Sequence, residues 1–306
     1  MSARLASAPV SWGVWERTVD REEVVPRRRL LEAVASLGYR AIELGPPGYL
    51  GGDGASVRET LDPFELELVG AFAPLHLADE AAFRADLEEL ARTIDIVAGA
   101  GAGAVVLLAD AGAPERAEAA GRAERLRQTA LAGQALERAA GRLAHAAERC
   151  RERGLAAALH PETGSYVEAA ADIEALLERT EPALLGLCID TGHVSVGGGD
   201  PARLARDWAG RLSHVHLKDV SGPVLARLRA GELDVEAAWA EGLFCPFGEG
   251  EVDLAGFLAL PELENFDGWL VLEQDRVGVR IDDLQAVRAI EERNLAFVTS
   301  LLAVAP

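Results

Sequence analysis

Polar side chains that can bind a metal ion or move a proton stand at six places in the sequence, each at the end of a short apolar run or just after it. In chain order these side chains are Glu43, His76, His160, Glu162, Asp190, His193, His214, His216, Lys218, Asp219 and Glu273. Five of the six histidines are among them, and only His145 falls within a helical pattern. Carboxylate and imidazole groups together suit a hard or borderline divalent ion such as Mn, Co, Mg or Zn. If the runs end at one place, the pattern predicts one divalent metal site.

Each of these side chains also has an ordinary structural explanation. A single histidine at a strand end is more often a hydrogen-bonded core residue than a ligand, and a lone carboxylate there can cap the next helix. Lys218 and Asp219 could form a loop ion pair of little energetic value. The metal interpretation is favoured because four consecutive runs, the fifth to the eighth, each end in His, Asp or Glu. Such a cluster would be costly to bury without an ion.

The apolar runs have the length and composition of buried strands, and charged segments of helical period separate them. The predicted strands are 5–10, 40–44, 66–72, 104–108, 155–160, 185–190, 212–217 and 269–273. The predicted helices are 28–37, 83–99, 119–153, 167–177, 201–209 and 283–302. Glycines stand where a helix must stop before the next strand, as at Gly38 and Gly154.

Eight strands that alternate with helices favour parallel βαβ units closed into a (β/α)8 barrel. An open doubly wound sheet is the alternative, but no GxGxxG motif follows the first strand. No linker or change of composition divides residues 1–306, so we expect a single domain. Its longest insertion, 218–266, follows the seventh strand and contains a helical pattern at 234–241. We expect this insertion to cap the active face of the barrel.

Composition narrows the classes of partner and location. The chain has 306 residues, 30 of them basic and 50 acidic, which gives a net charge of -20. Such a surface disfavours nucleic acid and anionic membranes as partners. The three cysteines are widely spaced and form neither a disulfide framework nor a thiolate metal site. With no signal-peptide pattern and no long apolar segment, we expect a cytoplasmic protein, and self-association into a homo-oligomer stays open.

Seven stretches of the chain resemble the xylose-isomerase-like barrel superfamily. They are APVSWGVWE, GYRAIELGPPGYL, LHPETGSYVE, LCIDTGHVSVGGGDP, SHVHLKDV, FCPFGEGEVD and GWLVLEQDR, and they extend over nearly the whole chain. Within the superfamily the chain most resembles the inosose dehydratases of inositol catabolism. The resemblance implies a TIM barrel, one divalent metal ion and a small polyhydroxylated carbonyl substrate. Because relatives isomerise or epimerise similar compounds, a keto-sugar or inosose isomerase or epimerase is the alternative.

The resemblance also implies four metal ligands, one from each of strands five to eight. These are His160, Asp190, His216 and Glu273. In epimerase and isomerase relatives the first of them is usually Glu, whereas His160 stands there in this chain. Inosose dehydratase-like sequences often have His-Pro-His at this point, so Glu162 replaces the second histidine. Either His160 or Glu162 can therefore be the ligand, and the other would face the substrate.

Dehydration of a ketone with a β-hydroxyl group needs a base for the proton beside the carbonyl and an acid for the departing hydroxide. A divalent ion would supply a Lewis acid for the charge that develops on the ketone oxygen. We expect Glu162 to be the base, His193 the acid and Lys218 the group that polarises an oxygen. The residues expected to contact the rest of the substrate are Trp12, Glu43, His76, His214 and Asp219.

Two further classes of protein fit the sequence less well. A DNA-repair endonuclease of the same superfamily would need a basic groove and additional ligands for a zinc cluster, and the charge of -20 argues against it. A binding module that kept the pocket and lost the chemistry would bind metal without turnover.

Overall fold

The computed structural model describes residues 4–21, 23–101, 103–264 and 266–304. Its ten strands are β1 (Arg4–Ser7), β2 (Ala41–Glu43), β3 (Glu67–Leu75), β4 (Val105–Asp110), β5 (Ala156–His160), β6 (Gly186–Asp190), β7 (Leu212–Leu217), β8 (Asp219–Val220), β9 (Phe244–Cys245) and β10 (Trp269–Leu272). All except β8 and β9 form a closed parallel barrel in the order β1-β10-β7-β6-β5-β4-β3-β2. The predicted (β/α)8 barrel is confirmed, and β10 is its eighth strand.

The helices lie between the barrel strands along the chain. They are α1 (Arg27–Ser36), α2 (Gly54–Leu61), α3 (Glu80–Ala100), α4 (Pro114–Ala119), α5 (Ala123–Thr129), α6 (Gly133–Glu152), α7 (Ala170–Leu177), α8 (Thr191–Val196), α9 (Pro201–Asp207), α10 (Gly222–Ala230), α11 (Val235–Ala240), α12 (Leu254–Leu258), α13 (Pro261–Glu264) and α14 (Leu284–Val304). Short 3-10 turns occupy Pro9–Trp12, Asp62–Phe64, Ala209–Arg211 and Ile281–Asp283. None of the described helices combines the length and apolar composition needed to cross a membrane.

Alternation along the strands divides the core into two layers. Val106 and Leu108 of β4 pack in the large cluster between barrel and helices, whereas Val105 and Leu107 pack inside the barrel. Successive side chains of a strand point to opposite faces, so the interior set continues every second residue. The interior residues are Ala158 and His160 on β5, Cys188 and Asp190 on β6, and His214 and His216 on β7. On β10 the interior residue is Val271, and Glu273 continues the series just after the strand. The interior therefore changes from apolar to polar towards the ends of the strands.

Several predicted boundaries need correction. The predicted helix 119–153 is wrong as one element, because Gly121 and Gly133 adopt φ of 69° and 50° and separate α4, α5 and α6. The predicted third and fourth strands end too early, since β3 continues to Leu75 and β4 to Asp110. The short helices α2, α8, α10, α12 and α13 were not predicted, because few residues carry each pattern.

The segment after β7 folds around its own small apolar cluster. β8 and β9 form an antiparallel ribbon, and α11 corresponds to the helix predicted at 234–241. The prediction that Asp219 contacts the substrate is corrected here. Its carboxylate accepts hydrogen bonds from the backbone N–H groups of Gly248, Gly250 and Val252, at 2.9–3.0 Å. Asp219 thus stabilises the fold of the insertion.

Candidate active site

Four side chains bring one donor atom each to the polar end of the barrel interior. They are the predicted ligands His160, Asp190, His216 and Glu273. Nδ1 of His216 lies 3.2 Å from Nε2 of His160 and 2.6 Å from Oε2 of Glu273. Oδ2 of Asp190 lies 3.5 Å from the same His216 atom and 3.6 Å from Nε2 of His160. Ligands that share one ion at about 2.0–2.2 Å stand at comparable separations from one another.

The hydrogen bonding of these atoms also fits a metal ion. Oε2 of Glu273 is buried and has no hydrogen-bond partner among the described residues, although Nδ1 of His216 and Nζ of Lys218 lie within 3.0 Å. The ammonium of Lys218 offsets part of the charge of this oxygen, but Asp190, Glu273 and Asp275 share that one ammonium, so the cluster can accept a further cation. The donor set therefore fits a divalent ion.

Two other groups of potential ligands share His216, one with Glu43 and His214 and one with His160 and Cys188. Burial raises the pKa of the Cys188 thiol to about 12, so this group stays neutral at physiological pH. A neutral thiol is a poor metal ligand. The group of Asp190, His216 and Glu273 is better suited because it supplies two carboxylates, and Nε2 of His160 lies beside it, 3.2 Å from Nδ1 of His216.

Glu43 pairs with two imidazoles in the barrel interior. Its Oε1 lies 2.9 Å from Nε2 of His214 and 2.9 Å from Nε2 of His216. Burial favours the neutral carboxyl, but the two histidines outweigh it and hold the pKa of Glu43 well below its ordinary value. Gly70 leaves room for this arrangement, since a Cβ there would stand 2.5 Å from Oε1 of Glu43. Glu43 thus fixes the ring of His216 so that Nδ1 faces the other three donors.

Glu162 and His193 face the cavity beside this cluster. Oε1 of Glu162 lies 3.6 Å from Nε2 of His193, and Oε2 lies 3.9 Å from Nδ1 of His160. Burial lowers the pKa of His193 well below its ordinary value, and the charge of Lys218 acts in the same direction, so the ring is neutral. The backbone N–H of Thr163 donates to Nδ1 of His193 at 3.1 Å. Nε2 therefore carries the proton of the neutral ring.

Lys218 lies among the carboxylates of the site. Its Nζ is 2.9 Å from Oδ2 of Asp190, 3.0 Å from Oε2 of Glu273 and 3.1 Å from Oδ1 of Asp275. Burial alone would favour the neutral amine, but these three carboxylates raise the pKa of Lys218 well above its ordinary value. The ammonium is also 3.1 Å from Nε2 of His193, and both residues line the cavity.

Asp275 was not among the predicted site residues. It lines the cavity, and its Oδ2 lies 3.7 Å from Nε2 of His193. Burial raises the pKa of Asp275 to about 7, and the negative charges of Glu273 and Asp190 act in the same direction while Lys218 opposes them. The alternation that identified Glu273 continues to Asp275, two residues further along, and could have identified it.

The carboxyl of Glu162 differs electrostatically from the four donors. Burial raises the pKa of Glu162 well above its ordinary value, and the charges of Asp275 and Asp190 add to this effect while Lys218 opposes it. By contrast, His216 and Lys218 overcome the effect of burial on Glu273 and lower its pKa. Glu162 is thus suited to accept a proton, whereas Glu273 is suited to remain an anion.

A cavity of about 650 Å³ opens above these residues, and its wall includes Glu43, His76, His160, Glu162, His193, His216, Lys218, Glu273 and Asp275. His76 is half-exposed there, with Nδ1 3.0 Å from Oδ2 of Asp86. Two residues predicted to contact the substrate lie elsewhere. Trp12 is fully buried and donates from Nε1 to Oγ of Ser7, and His214 is buried beneath Glu43 without lining the cavity. These two predictions are corrected, because strand-end position alone does not show how deep a side chain lies.

The family model for the xylose isomerase-like TIM barrel matches residues 31–294. This chain therefore belongs to the xylose isomerase-like TIM barrel family, as its resemblance predicted. It is similar to an inosose dehydratase of Geobacillus kaustophilus, with 29% identity over 89% of this chain and 87% of the relative. It is also similar to the rhizopine catabolism protein MocC of Rhizobium meliloti, with 31% identity over 90% of this chain and 82% of the relative.

A solved structure of IOLI protein with a bound zinc atom has the same fold. The two structures superpose with a TM-score of 0.70 at 14% sequence identity, and the alignment covers 99% of this chain and 99% of that chain.

Proposed function

We propose that this protein is a metal-dependent hydro-lyase that dehydrates a cyclitol ketone of the 2-keto-myo-inositol (inosose) type. The observation that carries the proposal is the convergence of four donor atoms beside Glu162, His193 and Lys218 in one cavity. Similarity to an inosose dehydratase supports the choice of substrate. The proposal takes residues 1–306 as one barrel domain, with the insertion 218–266 over its mouth.

In this proposal one divalent ion, such as Mn, Co, Mg or Zn, is held by His160, Asp190, His216 and Glu273. When bound, it supplies a Lewis acid for the negative charge that develops on the substrate's carbonyl oxygen. Of the two candidates on the fifth strand, His160 is the ligand because its Nε2 lies 3.2 Å from Nδ1 of His216 and 3.6 Å from Oδ2 of Asp190, whereas Glu162 approaches His193.

The protein's own groups carry the protons. Glu162 takes the proton from the carbon beside the ketone, and the electron pair of that C–H bond becomes the new C=C bond. Nε2–H of His193 gives its proton to the β-hydroxyl group as the C–O bond breaks, and the ammonium of Lys218, 3.1 Å from Nε2, returns a proton to the ring, so that water leaves and the imidazole stays neutral. Before this transfer Lys218 also donates a hydrogen bond to a substrate oxygen. Positioned acids and bases of this kind each contribute about 10²–10⁴ to the rate.

An epimerase or isomerase of a keto-sugar or inosose is the second candidate. Glu162 and Asp275 both lie within 3.7 Å of Nε2 of His193, so two carboxyl groups flank one point in the cavity. Two such groups could remove a proton on one side of a carbon and return it on the other.

One experiment distinguishes the hydro-lyase from the epimerase or isomerase. Inososes and ketohexoses are incubated with metal-loaded protein, and products are analysed by mass spectrometry and sugar chromatography. The hydro-lyase predicts a product of 2-keto-myo-inositol that is lighter by one water molecule. A product of unchanged mass and altered configuration would establish the epimerase or isomerase instead.

A further inference from the structure

The cavity is larger than a monocyclic cyclitol ketone requires. Such a compound has about twelve non-hydrogen atoms, and even at the roughly 30 Å³ that a molecule of liquid water occupies it would fill only about half of the space. The cavity itself is about 650 Å³. The polar groups that act on the ketone come from the strand ends, and the remaining wall comes from the loops and the insertion.

Two tryptophans form a corner in this outer part of the cavity. Trp15 follows β1, and Trp239 lies on α11 of the insertion, and both line the cavity. Their ring centroids are 5.9 Å apart with an interplanar angle of 87°, so the two indoles stand as perpendicular walls. Both side chains are partly exposed, as expected of surfaces that a ligand can reach.

Charged groups border the same corner. Nη1 of Arg17 lies 2.6 Å from Oε1 of Glu236, and the guanidinium carbon of Arg17 lies 5.4 Å from the centroid of the Trp15 ring. Arg17 and Glu236 also line the cavity. Aromatic surfaces with adjacent hydrogen-bonding charges suit an amphipathic ring that has apolar faces and hydroxyl groups at its edge.

We propose that this corner is a second binding subsite, which takes a hexosyl ring attached to the cyclitol. This inference rests on the proposed function and deepens it, because it makes the substrate a glycosylated cyclitol ketone. The reacting ring binds at the strand-end groups, and the sugar ring packs against the cavity-facing side of the corner that Trp15 and Trp239 form, with its hydroxyls near Arg17 and Glu236.

The test compares two probes that lack a ketone and are not turned over. Myo-inositol and galactinol, which is myo-inositol with one galactosyl ring, are titrated into Mn²⁺-loaded protein by calorimetry. The subsite predicts that galactinol binds roughly tenfold more tightly, the effect of about one aromatic contact. In Trp239→Ala this difference between the probes should disappear. Equal dissociation constants in the unsubstituted protein, absence of binding by both probes, or a preserved preference in Trp239→Ala would overturn the proposal.

A fluorescence measurement protects the test against misfolding of the alanine variant. Galactinol should change the intrinsic tryptophan fluorescence, and Trp15→Phe and Trp239→Phe should each reduce that change. Trp208→Phe is the matched control, because Trp208 packs against the main core and does not line the cavity. A change abolished only by Trp208→Phe would contradict the subsite. Failure of the hydro-lyase proposal is seen separately, as an absence of water loss from 2-keto-myo-inositol.

Discussion

At the scale of single residues, the carboxylates of the site occupy different positions and have different proposed roles. Glu273 and Asp190 supply donor atoms, Glu162 faces the cavity, and Glu43 lies beneath them with two histidines. In the proposed site Glu43 would position His216, because its hydrogen bond to Nε2 leaves Nδ1 facing the other donors. Carboxylates that act through a ligating histidine in this way commonly change metal affinity by about 10–100-fold when they are replaced.

Glu43→Gln should therefore weaken Mn²⁺ binding about 10–100-fold, because an amide oxygen holds the imidazole less strongly and carries no charge. Calorimetric titration with Mn²⁺ measures the effect. Glu67→Gln serves as the control, because it is the same chemical substitution at an exposed position of β3. If both variants bind Mn²⁺ as tightly as the unsubstituted protein, Glu43 has no part in positioning the ligand.

Glu162→Gln should retain the metal and lose turnover by about 10²–10⁴, because the amide cannot accept a proton. His160→Ala should instead weaken metal affinity, and excess metal should restore part of its activity. Metal content and the rate of water loss from 2-keto-myo-inositol are measured for both variants. Loss of metal from Glu162→Gln with full metal content in His160→Ala would reverse the two roles.

At the scale of elements, the sequence was most informative where the side-chain period is two. The two-residue period put His214 and His216 on one face, and the family resemblance gave His160, Asp190, His216 and Glu273 as the residues at the ends of β5, β6, β7 and β10. Alternation gives the face of a strand but not the depth, so it could not separate His214 and Trp12 from the cavity wall. The division of 119–153 into three helices depends on glycine torsions, which a helical composition pattern does not reveal.

The loops between elements at the mouth contain a group that makes stability depend on pH. Glu168 is buried, and its two oxygens accept hydrogen bonds from the backbone N–H groups of Gly121 and Gly164, both at 2.7 Å. Burial raises the pKa of Glu168 from 4.5 to about 7, even though both hydrogen bonds favour the charged form. The folded state thus binds this proton more tightly than the unfolded state does.

The stabilisation from this proton is complete below about pH 4.5 and is lost as the pH rises through about 7. Relative to Glu168→Gln, which cannot titrate, the unsubstituted protein should lose up to about 3 kcal/mol of unfolding free energy between pH 5 and pH 8. Urea unfolding at several pH values measures this difference. The control is Glu178→Gln, because Glu178 is exposed at the end of α7. The unfolding free energy of this variant should follow the same pH dependence as that of the unsubstituted protein. Parallel pH profiles for Glu168→Gln and the unsubstituted protein would refute the prediction.

At the scale of the whole molecule, a rigid barrel holds the reactive groups and a loop insertion completes the cavity. Arg17 and Glu236 connect the first loop to the insertion through their ion pair. The chain has 30 basic residues against 50 acidic ones, which gives a net charge of -20. From this balance of charge we expect polyanions to be disfavoured as partners.

Duplex DNA should accordingly show no measurable binding at about 0.15 M salt, since too few clustered cations are available to release counterions. Electrophoretic mobility with intact and abasic-site duplexes checks this expectation. Cleavage of the abasic-site duplex by metal-loaded protein would instead support the endonuclease interpretation.

Anomalous diffraction from crystals of the Mn²⁺-loaded protein tests most directly whether one divalent ion binds among His160, Asp190, His216 and Glu273. We expect one anomalous peak about 2.0–2.3 Å from Nε2 of His160, Oδ2 of Asp190, Nδ1 of His216 and Oε2 of Glu273. A peak among Glu43, His214 and His216 instead, or no peak in the barrel at all, would contradict it.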